Sequence, residues 1–187
     1  MDFRENIKKL RGEVLILLPK IEDTPVDKIS EIFLTYDALI RPNFIMWLML
    51  NKPNLKSNVA IKACKDNLDC EITDNHPQML LNFMEPIIRS NINNAEVTLA
   101  VNEKIKNSLR LISKITELST KSLEGLYIMA ILENTSVEFI AWMKKASAKL
   151  DLTNKRYLDV HGEADIEHAD EFINAIEAES KKQKKPL

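Results

Sequence analysis

Three residues near the end of the chain, His161, Asp165 and His168, stand at i, i+4 and i+7 within the segment YLDVHGEADIEHADEF, Tyr157 to Phe172. At about 100° per residue of an α-helix they fall within roughly 60° of arc, on one face. Leu158 precedes them on that face and Phe172 and Ile176 follow, which is the apolar stripe a helix buries. The triple therefore points inward. Burying two imidazoles and a carboxylate is costly unless each finds a partner, and one cation satisfies all three through nitrogen and oxygen lone pairs. Core residues held by hydrogen bonds, or a buried His to Asp pair, are the alternative reading. Glu163 and Glu167 lie far round the helix and are expected in solvent.

A second candidate sits upstream, where Leu126, Met129, Ala130, Val137 and Ile140 define an apolar helix face with Glu133 in its middle. Glu138 lies about 140° away beside Trp142 and Lys145, so Glu133 is the inward carboxylate and Glu138 the outward one. An inward Glu can pair with a buried Arg or Lys instead of a metal, but this face carries neither. Glu71 closes another stripe after Cys64 and Leu68, and His76 follows just before Pro77. Their i to i+5 spacing does not share one face of a regular helix, so the segment must be irregular if both bind one site. Otherwise Glu71 is an exposed helix-end residue and His76 a surface turn residue. The chain's three histidines all fall within this set. Three carboxylates against two Fe(II) ions would leave about one positive charge and vacant coordination positions.

Helices must position these groups. Periodicity predicts one from about Asp2 to Leu18, stopped by Pro19, and a second from about Val26 to Leu50, kinked or broken at Pro42. A third runs from about Leu55 to Glu71. Pro77 opens a fourth, which Asp74 or Asn75 can cap and which ends in the polar stretch Ser90 to Asn94. Ala95 to Leu118 carries Val97, Val101, Ile105, Leu109 and Ile112 at helical spacing, and Ser119 to Ser122 break it. The next helix spans about Leu123 to Leu150, and the last opens near Thr153 or Asn154 and reaches about Lys182.

With 187 residues, 45% of them hydrophobic, and only three glycines, the chain reads as an all-α, single-domain helical bundle over residues 1–187. Residues 177–187, ending in Lys181, Lys182, Lys184 and Lys185, are expected as a frayed basic tail. A net charge of −2 spread in mixed signs supplies no field or basic recognition helix for nucleic acid. Cys64 and Cys70 follow no paired pattern, and MDFRENIKKL is charged from its start, so a cytoplasmic location without a signal peptide is expected. The most apolar stretch, Phe44 to Leu50, is shorter than the roughly 20 residues that cross a bilayer, so no membrane partner is expected.

In NLDCEITDNHPQMLLNF (Asn67 to Phe83), IMAILE (Ile128 to Glu133) and YLDVHGEADIEHADEF (Tyr157 to Phe172) the chain resembles the haem-oxygenase-like diiron oxidases. In that family an early Glu and His, a Glu on a middle helix and a His-x3-Asp-x2-His helix hold two irons. The resemblance implies Glu71, His76, Glu133, His161, Asp165 and His168 as metal ligands, a haem-oxygenase-like fold and two non-haem iron ions, with manganese as the other metal. It also implies an iron-dependent oxidoreductase that activates dioxygen to oxidise a small organic substrate of the amino acid, fatty acid or amine class. A homodimer is compatible with it. Tyr36, Tyr127 and Tyr157 are candidate redox-active neighbours of such a site, or ordinary core tyrosines.

Two other readings compete. A metal-free relative on the same fold, resembling the thiaminase-type branch, would bind or hydrolyse a small molecule with a nucleophilic cysteine, for which Cys64 is the inward-looking candidate. A non-enzymatic helical interaction protein would use the His and Asp triple only to stabilise its core.

Overall fold

The computed structural model describes residues 3–184, which are all-helical in their regular structure. The elements are α1 (Phe3–Leu17), α2 (Val26–Ile40), α3 (Phe44–Asn51), a 3-10 turn (Lys52–Asn54), α4 (Asn58–Thr73), α5 (His76–Asn91), α6 (Ala95–Ser119), α7 (Ser122–Ala146), a second 3-10 turn (Ser147–Leu150) and α8 (Arg156–Gln183). Pro42 breaks the expected second helix into α2 and α3. Asp2, expected to begin the first helix, lies outside the described residues, as do Lys185 and the side chain of Glu163. No helix of the described residues is long and apolar enough to cross a membrane.

Local chemistry accounts for several boundaries. The Ser57 hydroxyl accepts from the Ala60 N–H at the start of α4, and the Asn94 side chain accepts from the Val97 N–H at the start of α6. Neither Asp74 nor Asn75 caps α5 through its side chain, contrary to the sequence expectation. Asn75 instead adopts the left-handed conformation (φ 54°), which reverses the chain in one residue and delivers Pro77 into the first turn of α5.

The tail expectation is corrected. Residues 177–183 continue α8, and the fully buried Glu179 carboxylate accepts from the backbone N–H groups of Lys56 (3.0 Å) and Ser57 (2.7 Å), tying this end of α8 to the start of α4. Leu109 is another correction, because it is exposed and α6 turns Val97, Val101, Ile105, Ser108 and Ile112 inward instead.

Two apolar clusters form the core. One gathers Ala60, Cys64 and Leu68 of α4, Leu126, Met129 and Ala130 of α7, and Phe172 and Ile176 of α8. The other joins Ile29 and Phe33 of α2, Leu80 and Phe83 of α5, Ile140 and Met143 of α7, and Leu158 of α8. Along α7 and along α8, the stretch between the two clusters is where Glu133 and the His161, Asp165, His168 triple fall.

Gly125 sets the close approach of α3 to α7. A Cβ there would overlap the Asn51 amide, which is fully buried and donates to the backbone carbonyls of Lys121 (2.9 Å) and Ser122 (3.2 Å). Gly125→Ala is expected to destabilise the protein by about 2 kcal/mol in denaturant unfolding, the overpacking cost exceeding the gain in helix propensity. A variant as stable as wild type would show that Asn51 moves away freely.

Candidate metal centre

Four helices bring together all six residues singled out above. Glu71 comes from the last turn of α4, His76 from the first residue of α5, Glu133 from the middle of α7, and His161, Asp165 and His168 from α8. Glu71, His76, Glu133 and Asp165 are buried, while His161 and His168 are partly so. Their donor atoms divide into two compact groups, Glu71 with His76 and His161, and Glu133 with Asp165 and His168. Within each group every donor atom lies within 4.8 Å of the others. The irregularity demanded by the Glu71 to His76 spacing is the left-handed Asn75, which turns the His76 ring back so that Nδ1 lies 2.8 Å from Glu71 Oε1. His161 Nε2 stands 3.7 Å from the same oxygen, and His168 Nδ1 stands 3.8 Å from Glu133 Oε1.

Supporting residues fix these groups. His161 Nδ1 lies 2.9 Å from the Tyr157 carbonyl, so Nδ1 donates there and Nε2 is the ring nitrogen left facing Glu71. The Asn67 amide donates to Glu133 Oε1 (2.6 Å), and the Ser136 hydroxyl bonds to Asp165. Sequence reasoning passed over Asn67 and Ser136, although each lies one helical turn from a singled-out carboxylate, Asn67 before Glu71 and Ser136 after Glu133. Glu138 is outside the group. Its carboxylate pairs with Arg11 of α1 at 2.8 Å. Trp142, expected beside it on an outward face, is buried and donates from its indole N–H to the Pro19 carbonyl (2.8 Å). Glu167 is exposed as expected.

Five of the six residues, His168 being the exception, line a cavity of about 290 Å³, at the small end of ligand-sized pockets of roughly 300–1,000 Å³. Its other walls are largely apolar and include Ile40, Phe44, Leu80 and Phe139, with Arg41 held by Asp37 at one side. Tyr36 and Tyr157 also line it, joined by a 2.8 Å hydrogen bond between hydroxyls, and the Tyr157 ring lies 4.0 Å from that of His161. Tyr127 lies elsewhere, packed against Phe3. Cys64 is buried in the core against the Leu48 carbonyl and does not line the cavity, so the nucleophile that a thiaminase-type chemistry needs is not at hand there.

The electrostatics show what the cluster lacks. Among the described residues, the ion pairs made by Glu71 and Glu133 are with histidines alone, and Asp165 makes none. Burial, followed by the neighbouring Asp165 charge, pushes the Glu133 carboxyl well above its ordinary range. Burial likewise lifts Asp165 to about 6. Glu71 is the exception, since hydrogen bonds from His161 and His76 outweigh its burial and hold it at about 2. Burial alone would depress His161, but Glu71 and Asp165 raise it, whereas burial does lower His168. Both buried carboxyls thus hold their protons to higher pH than free ones do, a cost that a cation would relieve, and the oxygen and imidazole donor set suits iron, manganese or zinc.

A pH dependence follows for the metal-free protein. Groups whose folded affinity for protons is raised, here Glu133, Asp165 and His161, stabilise the fold at low pH and lose that contribution as pH rises through their folded values. His168 opposes them in the same range, and Glu71 matters only below its ordinary value of 4.5. Unfolding free energy in the presence of chelator should therefore fall as pH rises from about 4 to 8, with about 2 kcal/mol of the loss due to Asp165 and complete by about pH 7. Asp165→Asn should flatten this slope. Greater stability at the alkaline end would contradict the assignment.

No protein-family model, curated protein or solved structure matches this chain. The residues and their geometry therefore carry the functional argument.

Proposed function

We propose that this chain is a non-haem diiron oxidase or oxygenase on a haem-oxygenase-like helical bundle, oxidising a small organic substrate with dioxygen. One observation carries the reading: the six candidate ligands fall into two adjacent three-residue groups, and five of them line one largely apolar cavity. Glu71, His76 and His161 would hold one ion, and Glu133, Asp165 and His168 the other. Iron, with manganese as the other metal, would supply the electrons for dioxygen reduction there.

The chain's own contribution is positioning and exclusion of water. Tyr157 sets the His161 tautomer through its carbonyl, while Asn67 and Ser136 hold Glu133 and Asp165 in place. Phe44, Leu80 and Phe139 keep the substrate chamber apolar, and the cavity volume admits a small molecule and not a polymer. A reducing cytoplasmic setting, in which Cys64 and Cys70 stay free, suits a centre that must be loaded as Fe(II).

Anaerobic loading with Fe(II), removal of excess metal and exposure to oxygen test the proposal. About two irons should remain per chain, and oxygen uptake should respond to candidate substrates. Failure to retain iron under these conditions overturns it.

A further inference from the structure

Beyond the six residues just described, a third cluster of donor atoms lies on the outer side of His76. Cys70 Sγ is 3.8 Å from Asp74 Oδ2 and 4.0 Å from His76 Nε2, and His76 Nε2 is 4.0 Å from Asp74 Oδ2. A tetrahedral zinc-type ion with one sulfur, one nitrogen and one oxygen ligand holds such atoms about 3.4–3.6 Å apart. The triangle needs only a few tenths of an ångström of contraction to match. Asp74 is exposed and Cys70 half-buried, so the cluster is reached from solvent, and a fourth coordination position is left for water. Its thiol distinguishes it from the two inner groups, whose donors are nitrogen and oxygen only.

His76 belongs to both sides. Its Nδ1 lies against Glu71 of the inner group and its Nε2 faces Cys70 and Asp74. A neutral imidazole has one free lone pair and so serves one metal at a time. We propose that Cys70, Asp74 and His76 form a surface-facing site for a thiophilic divalent cation such as zinc, and that filling it withdraws His76 from the inner group. A thiolate donor favours softer ions over iron or manganese, so the outer side draws such an ion ahead of the inner groups, whose donors are nitrogen and oxygen only.

Cobalt(II), which reports thiolate ligation through a near-ultraviolet charge-transfer band, tests the site on the metal-free full chain. The band should appear in wild type, in Cys64→Ser and in Glu133→Gln, and should vanish in Cys70→Ser. Its absence from wild type, or its survival in Cys70→Ser, overturns the site. The sharing of His76 rests on the iron reading and has its own readout. One equivalent of cadmium(II), a softer ion that prefers thiolate to nitrogen and oxygen donors more strongly than zinc does, added before Fe(II) should reduce the iron retained by about half in wild type and not in Cys70→Ser, because the ligand contest involves one of the two inner groups. Cadmium bound through Cys70 with iron retention unchanged would overturn the sharing while leaving the outer site standing.

Discussion

Replacing His161 by alanine is expected to abolish oxygen consumption and to lower the iron retained per chain, while helical content stays near wild type. Alanine is the better helix former, so α8 does not depend on this side chain for its backbone. What disappears is the imidazole whose Nε2 faces Glu71, leaving Glu71 with His76 as its one remaining histidine partner. Loss of a residue that only supports a metal ligand costs about 10–100-fold in affinity, so loss of the ligand itself should exceed about 100-fold. Glu133→Ala should behave in the same way. Glu138→Ala should not, because that carboxylate pairs with Arg11 across α1 and its removal costs only about 1 kcal/mol or less of stability. Full iron retention by His161→Ala would remove His161 from the ligand set. Equal effects of Glu133→Ala and Glu138→Ala would place the centre elsewhere.

Metal loading should raise the thermal midpoint by about 5–10 °C when free metal stands about 100-fold above its dissociation constant. That ratio contributes about 2.7 kcal/mol by linkage, and a domain of this size gains roughly 2–4 °C per kcal/mol. The stabilisation should concentrate in α8. His161, Asp165 and His168 interrupt its apolar stripe, so in the metal-free state their desolvation opposes packing of the segment. Gly162 adds to this. Nothing lies within 4 Å of where its Cβ would be, so no packing contact repays the roughly 1 kcal/mol of helix propensity that it gives up relative to alanine. Hydrogen exchange with and without Fe(II) should show amides from Val160 to His168 gaining protection on loading. Equal protection in both states would mean that the triple is a self-satisfied core network.

The parts of this arrangement that a single helical period could carry were legible in the chain. His161, Asp165 and His168 share a face with Leu158 and Phe172, and Glu133 was separated from Glu138 by phase alone. Glu71 and His76 were legible only as a condition, because their meeting depends on the backbone of Asn75, and asparagine occupies the left-handed region without announcing it. Trp142 was misread for a different reason. Reasoning from one apolar stripe assumes burial on one side, whereas α7 is packed by α8, α1, α6 and α3 and buries residues around most of its circumference. Glu179 escaped notice because its role, capping α4 from the other end of the chain, is a long-range one that no local pattern encodes. The all-helical bundle is what the fold itself displays, while the haem-oxygenase-like topology was implied by resemblance and belongs to the proposal above.

Because α8 supplies at least one member of each inner group, neither group exists until α8 has been synthesised. About 100 residues of chain separate Glu71 from His168, an interval of roughly 5–20 s at ordinary translation rates. Throughout that interval the growing polypeptide can hold Glu71, His76 and Glu133 but offers no complete inner pocket for an ion. On the proposed reading, an inner metal would thereby be taken up only after α8 has been made and packed, from the ions then present.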